Sequence, residues 1–218
     1  MVSQLLETPS PELVSDRWVN ATWDEFIAIA NDPNLEKASF YYDNHKMRIE
    51  MSPVGPIHAH ENAIASKVIG LFAAVKNIAI YEYINCSFRK QPERECQPDI
   101  AFYLGSGLKL PPRNNAPVDL NEFDLPTLVV EISSTTIQDD LGYKRLLYER
   151  LGILEYWVIN AYTSEVFAFT IADGRSGRVV RSQVLEGLEI AIVEEALRRS
   201  QSEDDGAIAR WLLQTFNG

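Results

Sequence analysis

The spacing of apolar positions divides the chain into alternating helical and extended stretches. Thr22-Trp-Asp-Glu-Phe-Ile-Ala-Ile-Ala reads as a short helix, with Thr22 as N-cap and Glu25 three places on completing a capping box, and Asp32-Pro33 ends it. Aromatic and β-branched residues on both sides of Asp43-Asn44 predict a hairpin over Ala38 to Glu50. From about His58 to Val75, the residues Ile64, Val68, Leu71, Phe72 and Val75 recur at helical spacing and predict the first long helix. Ile80 to Arg89 and Pro98 to Leu104 read as two strands joined by the charged turn Gln91-Pro-Glu-Arg-Glu. Leu128 to Ser133 is a continuous apolar run interrupted by Glu131, the pattern of a central strand buried on both faces. Asp139 to Leu151 predicts a second long helix, with acids at its positive end and Gly152 just past its last turn. Glu155 to Asn160 and Glu165 to Ile171 read as a further pair of strands. Ile190 to Phe216 is helical in pattern but broken by Ser200-Gln-Ser-Glu-Asp-Asp-Gly206, which predicts a peripheral segment.

This order of elements fits an α/β fold built on a mixed sheet flanked by two main helices, the ones near His58 and Asp139. At 218 residues the whole chain, 1–218, suits one domain, with a flexible start over 1–20, a core over 22–190 and the peripheral helical segment over 191–218. No internal repeat interrupts that organisation. A hydrophobic fraction of 46% and a charged fraction of 23% are those of an ordinary globular protein. No apolar run approaches the roughly 20 residues a bilayer requires. The start, MVSQLLETPSPELVSD, lacks the basic and apolar regions of a secretory signal, which predicts a cytoplasmic protein whose Cys86 and Cys96 are reduced thiols. The net charge of -11 argues against a protein that coats nucleic acid by long-range attraction. It permits a local basic groove or an acidic site filled by metal.

Two charges stand in expensive places. Glu131 lies within a β-branched strand, and Lys144 lies on the apolar stripe of the following helix with Leu147, Tyr148 and Leu151. A buried carboxylate must be paired, metal-bound or neutral. Strand alternation puts Glu131 on one face with Val129 and Ser133, and Asp99 on one face with Ala101 and Tyr103. The two acids therefore converge if their strands are neighbours facing the same way. Two carboxylates beside an ammonium make sense as a hydrolytic site: the acids hold a hard divalent cation and the ammonium stabilises an oxyanion or positions a water. Magnesium is the natural occupant, since it takes few protein oxygens and pairs with substrate phosphates; manganese can substitute for it.

Pro98-Asp99, Glu131-Ile-Ser133 thirty-two residues later and Lys144 on the next helix resemble the PD-(D/E)XK nuclease superfamily, and more closely its Uma-type family of restriction endonucleases. The resemblance runs from about Thr22 to Ile190. It is carried by Arg48-Ile-Glu-Met-Ser-Pro, His58 heading the first long helix, Gln97-Pro-Asp-Ile-Ala, Leu128-Val-Val-Glu-Ile-Ser-Ser, Tyr143-Lys-Arg-Leu-Leu-Tyr and Gly152-Ile-Leu-Glu-Tyr-Trp-Val-Ile. It implies a restriction-endonuclease-like core and a magnesium-dependent endonuclease acting on DNA. Asp99 and Glu131 are then metal ligands, Lys144 is the catalytic lysine displaced to the helix, and Glu50 or His58 assists. Glu61, one helical turn from His58, is a further candidate. The chain departs from the superfamily pattern at Ser133, which occupies the usual lysine position. Cutting both strands of a duplex implies a homodimer.

Each residue also has a plainer reading. Glu131 and Lys144 fit a buried structural ion pair, Asp99 a cap at a strand entrance, His58 and Glu61 ordinary helix residues, and Tyr103 and Tyr148 core side chains. The displaced lysine and the acidic charge favour a rival from another class, a binding or assembly module that keeps the nuclease scaffold without turnover.

Overall fold

The computed structural model of the protein describes residues 15–51 and 55–218. The predicted flexible start lies outside the described residues up to residue 14, and Val19–Asn20 forms a short strand, β1. Helix α1, Trp23–Ala30, begins with the predicted capping box: Thr22 Oγ1 accepts from Glu25 N, and Glu25 Oε2 accepts from Thr22 N at 2.7 Å. Strands β2 (Ser39–Asp43) and β3 (Lys46–Glu50) form the predicted hairpin, turning through Asn44 and His45, both at positive φ. Helix α2, Pro56–Val75, starts two residues before His58 because Pro56 supplies a preset first turn.

The hydrophobic pattern predicts one strand from Ile80 to Arg89, but the chain breaks at Asn85, which adopts a left-handed φ of 52°. The result is β4 (Ile80–Ile84) and β5 (Phe88–Lys90), which belong to different sheets. Next come β6 (Arg94–Cys96), β7 (Ile100–Leu104), β8 (Val118–Asp119) and β9 (Leu128–Ser133). The second long helix consists of α3 (Ile137–Asp139), a π-helical turn over Asp140–Lys144, and α4 (Arg145–Leu151). Gly152 closes it in the left-handed conformation predicted for a glycine just past a last turn, at φ 88°. Strands β10 (Glu155–Asn160), β11 (Val166–Ala172) and β12 (Arg175–Val179) follow, then α5 (Ile190–Arg199) and α6 (Asp205–Asn217).

Two six-stranded sheets result where the pattern predicts one. The central sheet has the order β12-β11-β10-β9-β7-β4; β9 and β10 run parallel and the other neighbours antiparallel. The outer sheet has the order β1-β3-β2-β6-β5-β8. Its strands are short and discontinuous in sequence, so periodicity alone does not assemble them. Every residue of β9 is buried, as a strand covered on both faces requires. On one face Val130 and Ile132 pack with Ile64, Val68 and Phe72 of α2. On the other Val129 packs with Leu147, Tyr148 and Leu151 of α4 and with Tyr41 of the outer sheet.

The segment 191–218 is not peripheral. Val193, Ala196 and Leu197 of α5 and Ile208, Leu212 and Phe216 of α6 are buried in the main core, with the rings of Phe72 and Phe216 centred 5.1 Å apart. The break at Ser200 to Asp204 is a turn between two packed helices, and Asp204 caps the second through Gly206 N and Ala207 N. Among the described residues no helix is long and apolar enough to cross a membrane.

Candidate active site

Strand β7 lies beside β9 with Ile100 opposite Val130 and Ala101 opposite Val129. Continued by one step, this antiparallel register sets Asp99 against Glu131. Asp99 stands just before β7, so its side chain closes the ladder that the backbone leaves open: Oδ2 accepts from Ile132 N at 2.6 Å. Its Oδ1 lies 3.0 Å from His58 Nε2, which reaches over from the first turns of α2. Burial works against the His58 cation, but the bond to Asp99 and its charge prevail and raise the imidazole pKa.

Glu131 is 2% exposed. Its Oε1 accepts from Tyr148 Oη at 2.6 Å and stands 3.4 Å from Tyr41 Oη, while Oε2 makes no hydrogen bond among the described residues. Tyr41 also donates to Gln97 O at 2.8 Å. Burial raises the Glu131 pKa well above the carboxylate range; Lys144 opposes that shift, and Asp99, Asp140 and Glu50 add to it. Four carboxylates, those of Glu50, Asp99, Glu131 and Asp140, thus gather near one buried ammonium.

That cation is Lys144, 2% exposed. Its Nζ lies 3.0 Å from Glu50 Oε1, 3.0 Å from Asp140 Oδ1, 3.9 Å from Glu131 Oε1 and 4.2 Å from the centre of the Tyr41 ring. Burial disfavours the ammonium, but Glu131, Tyr41, Asp140 and Glu50 outweigh it and hold its pKa well above that of a free lysine. Glu50 is also held by Arg48, whose Nε donates to the same Oε1 at 2.7 Å. Arg48 in turn holds Asp16 O at 2.8 Å and approaches Asp139 Oδ2 at 3.3 Å.

Glu50, His58, Asp99, Glu131 and Lys144 all line one cavity of about 230 Å³, with Tyr41 in its wall and Lys37 among its other lining residues. All five predicted site residues thus come together, from β3, α2, the entrance to β7, β9 and the π-helical turn. Glu61 does not join them. It lines a separate groove with Pro56, Ile57, His60, Ser200 and Gln201. Residues 52–54 lie outside the described residues. Periodicity overlooks three participants. Tyr148 and Asp140 each lie four residues from Lys144 on its own stripe, which was the available signal. Tyr41 comes from another sheet and has no local signal.

A magnesium ion fits these residues in one manner. Among the described residues no group of three or more His, Cys, Asp or Glu forms a ready cage. Two opposed carboxylates, a Glu131 Oε2 without a hydrogen bond and the further carboxylates of Glu50 and Asp140 close by instead suit a hard cation that retains most of its waters. Asp99 keeps accepting capacity because each carboxylate oxygen has two lone pairs.

A family model described as "Putative restriction endonuclease" matches residues 23–208. Among solved structures, the chain is similar to a protein from Anabaena variabilis ATCC 29413 described as "a putative nuclease belonging to DUF820". The identity is 20%, the TM-score is 0.55, and the match covers 81% of this chain and 99% of that one. That likeness shows a shared fold. No curated protein matches the chain.

Proposed function

The chain belongs to the Uma2 family, and from that premise we propose that it is a cytoplasmic magnesium-dependent endonuclease that hydrolyses phosphodiester bonds of DNA in the cavity between β7, β9 and the π-helical turn. The observation that carries this reading is the convergence of Asp99, Glu131 and Lys144, from three separate elements, on one cavity. Asp99 and Glu131 are the residues that would hold the ion, with manganese as a substitute. Bound there, magnesium supplies a water of lowered pKa and neutralises charge at the scissile phosphate. The chain's own groups do the rest. Lys144 offers a fixed positive charge to the phosphoryl oxygens as charge develops on them, and it orients the attacking water. Glu50 holds that ammonium at the cavity wall, His58 fixes the Asp99 carboxylate, and Tyr148 fixes that of Glu131. Breaking both strands of a duplex takes two such sites related by symmetry, so the reading includes a homodimer on the substrate.

Nicking of supercoiled plasmid with magnesium or manganese tests this, comparing wild type with Glu131→Ala and Lys144→Ala. Loss of nicking in both variants is expected, and equal activity in all three proteins discards the site. A second reading is favoured by Ser133 at the usual lysine position and by a Lys144 ammonium held between Glu50 and Asp140: a nuclease-fold module that binds nucleic acid without cleaving it. A gel shift in EDTA with no cleavage under any metal is its signature.

A further inference from the structure

We propose that Asp140 is the positioning residue of Lys144, a buried counter-ion that keeps the ammonium off Glu131 and so leaves the Glu131 carboxylate to a divalent cation. This rests on the reading of the cavity as a metal-dependent hydrolytic site. Lys144 has three acids within reach, and they are not equivalent. Glu50 and Glu131 line the cavity; Asp140 does not. Asp140 is 1% exposed, its Oδ1 stands 3.0 Å from Lys144 Nζ, and its Oδ2 accepts from Thr136 Oγ1 at 2.6 Å. Thr136 Oγ1 is itself 3.4 Å from Ser133 Oγ at the end of β9. The carboxylate is thus fixed on the side away from the lysine before any ligand arrives.

The backbone contributes to the same end. Asp140 and Lys144 are the first and last residues of the π-helical turn. A turn with i→i+5 bonding takes one residue more than an α-turn, so positions i and i+4 fall within a single turn and the aspartate sits beside the ammonium. Insertions of this kind cost helix regularity and concentrate at functional sites.

Without the Asp140 charge, the nearest remaining partners of the ammonium are Glu50 Oε1 at 3.0 Å and Glu131 Oε1 at 3.9 Å. A move of less than an ångström onto Glu131 would set the ammonium against the cation for the same carboxylate. Asp140→Asn keeps the volume and the acceptor for Thr136 while removing the charge. Calorimetric titration of the full chain with Mn2+ is expected to show affinity roughly 10–100-fold weaker in this variant, the size typical of residues that orient metal ligands. The manganese concentration giving half-maximal plasmid nicking should rise in parallel. Asp140→Glu, which restores the charge, should recover part of the loss. Should Asp140→Asn fail to fold, Thr136→Val carries the test: it keeps the charge, releases the carboxylate that Thr136 orients, and should weaken Mn2+ binding in the same direction by a smaller factor. A folded Asp140→Asn, or Thr136→Val in its place, that binds Mn2+ with wild-type affinity overturns the proposal while leaving the cavity reading intact. A wild-type chain that takes up no Mn2+ overturns both.

Discussion

Burial raises the Glu131 pKa while Lys144 opposes that shift, and removing one hydroxyl tests whether the lysine still holds Glu131 ionised in the core. In Tyr148→Phe the ring keeps its packing against Tyr156, whose centroid is 4.7 Å away, and the change is confined to the 2.6 Å bond to Glu131 Oε1. Both side chains are buried, so water does not replace the lost donor. A buried hydrogen bond to a charged group contributes about 1.5–3 kcal/mol. For a chain of this size each kcal/mol moves Tm by about 2–4 °C, so the variant should melt roughly 3–12 °C lower. Tyr103→Phe is the internal control, because Tyr103 donates at 2.9 Å to the neutral carbonyl of Asp124 and should cost about 0.5–1.5 kcal/mol. A double-mutant cycle isolates the charge: against Glu131→Gln the loss on Tyr148→Phe should fall by about half, since charge-assisted bonds are roughly twice as strong as neutral ones. Circular dichroism melts of the four proteins and the control decide it. A Tyr148→Phe protein that melts with the wild type, or a cycle without coupling, would refute an ionised Glu131 beside Lys144.

Phe216→Ala should destabilise the fold by about 3–5 kcal/mol in urea unfolding, because the ring is 3% exposed and meets Phe72; a loss within about 0.5 kcal/mol would return the C-terminal helix to the surface. Glu61 is buried, and its Oε2 has no hydrogen-bond partner among the described residues; burial raises its pKa, so the stability tied to its protonated form is complete below the unfolded carboxylate pKa and is lost as pH rises through the folded value. Glu61→Gln should therefore be more stable than wild type at pH 7 and gain little near pH 4, and equal differences at both pH values would contradict this. Lys37 lines the cavity and is exposed, with no ion pair among the described residues, so Lys37→Ala should weaken DNA binding and reduce the slope of log K against log salt by about 0.9 without moving Tm; an unchanged slope would remove Lys37 from the phosphate path.

Much of this architecture is legible in the chain itself, wherever the information is local. The capping box at Thr22, the hairpin around Asn44, the helical stripe of α2 and the double burial of β9 follow from the spacing of residues a few positions apart. So does the placement of Lys144, because a helix carries its apolar face as a repeat. The inward facing of Asp99 and Glu131 follows from strand alternation. Their meeting does not, since it depends on β7 lying against β9 in one register, and register is a property of two strands. Ile80 to Arg89 misleads for a related reason: one left-handed residue, Asn85, divides a run whose side chains suit a strand throughout. The C-terminal helices mislead because the polar turn between them resembles an edge when α2 is out of view.

By itself the sequence determined which residues must be buried, on which face of each element they lie, and that two charges were buried among them. Only the tertiary structure decided what those charges meet. Tyr41 arrives from the outer sheet, Glu50 from a hairpin and His58 from the opposite face of the central sheet, each across a distance in sequence that periodicity does not span. The physical reason is range. Helix and strand patterns express bonds between near neighbours, whereas the field around a buried ammonium is the sum over every charge the folded chain brings near it.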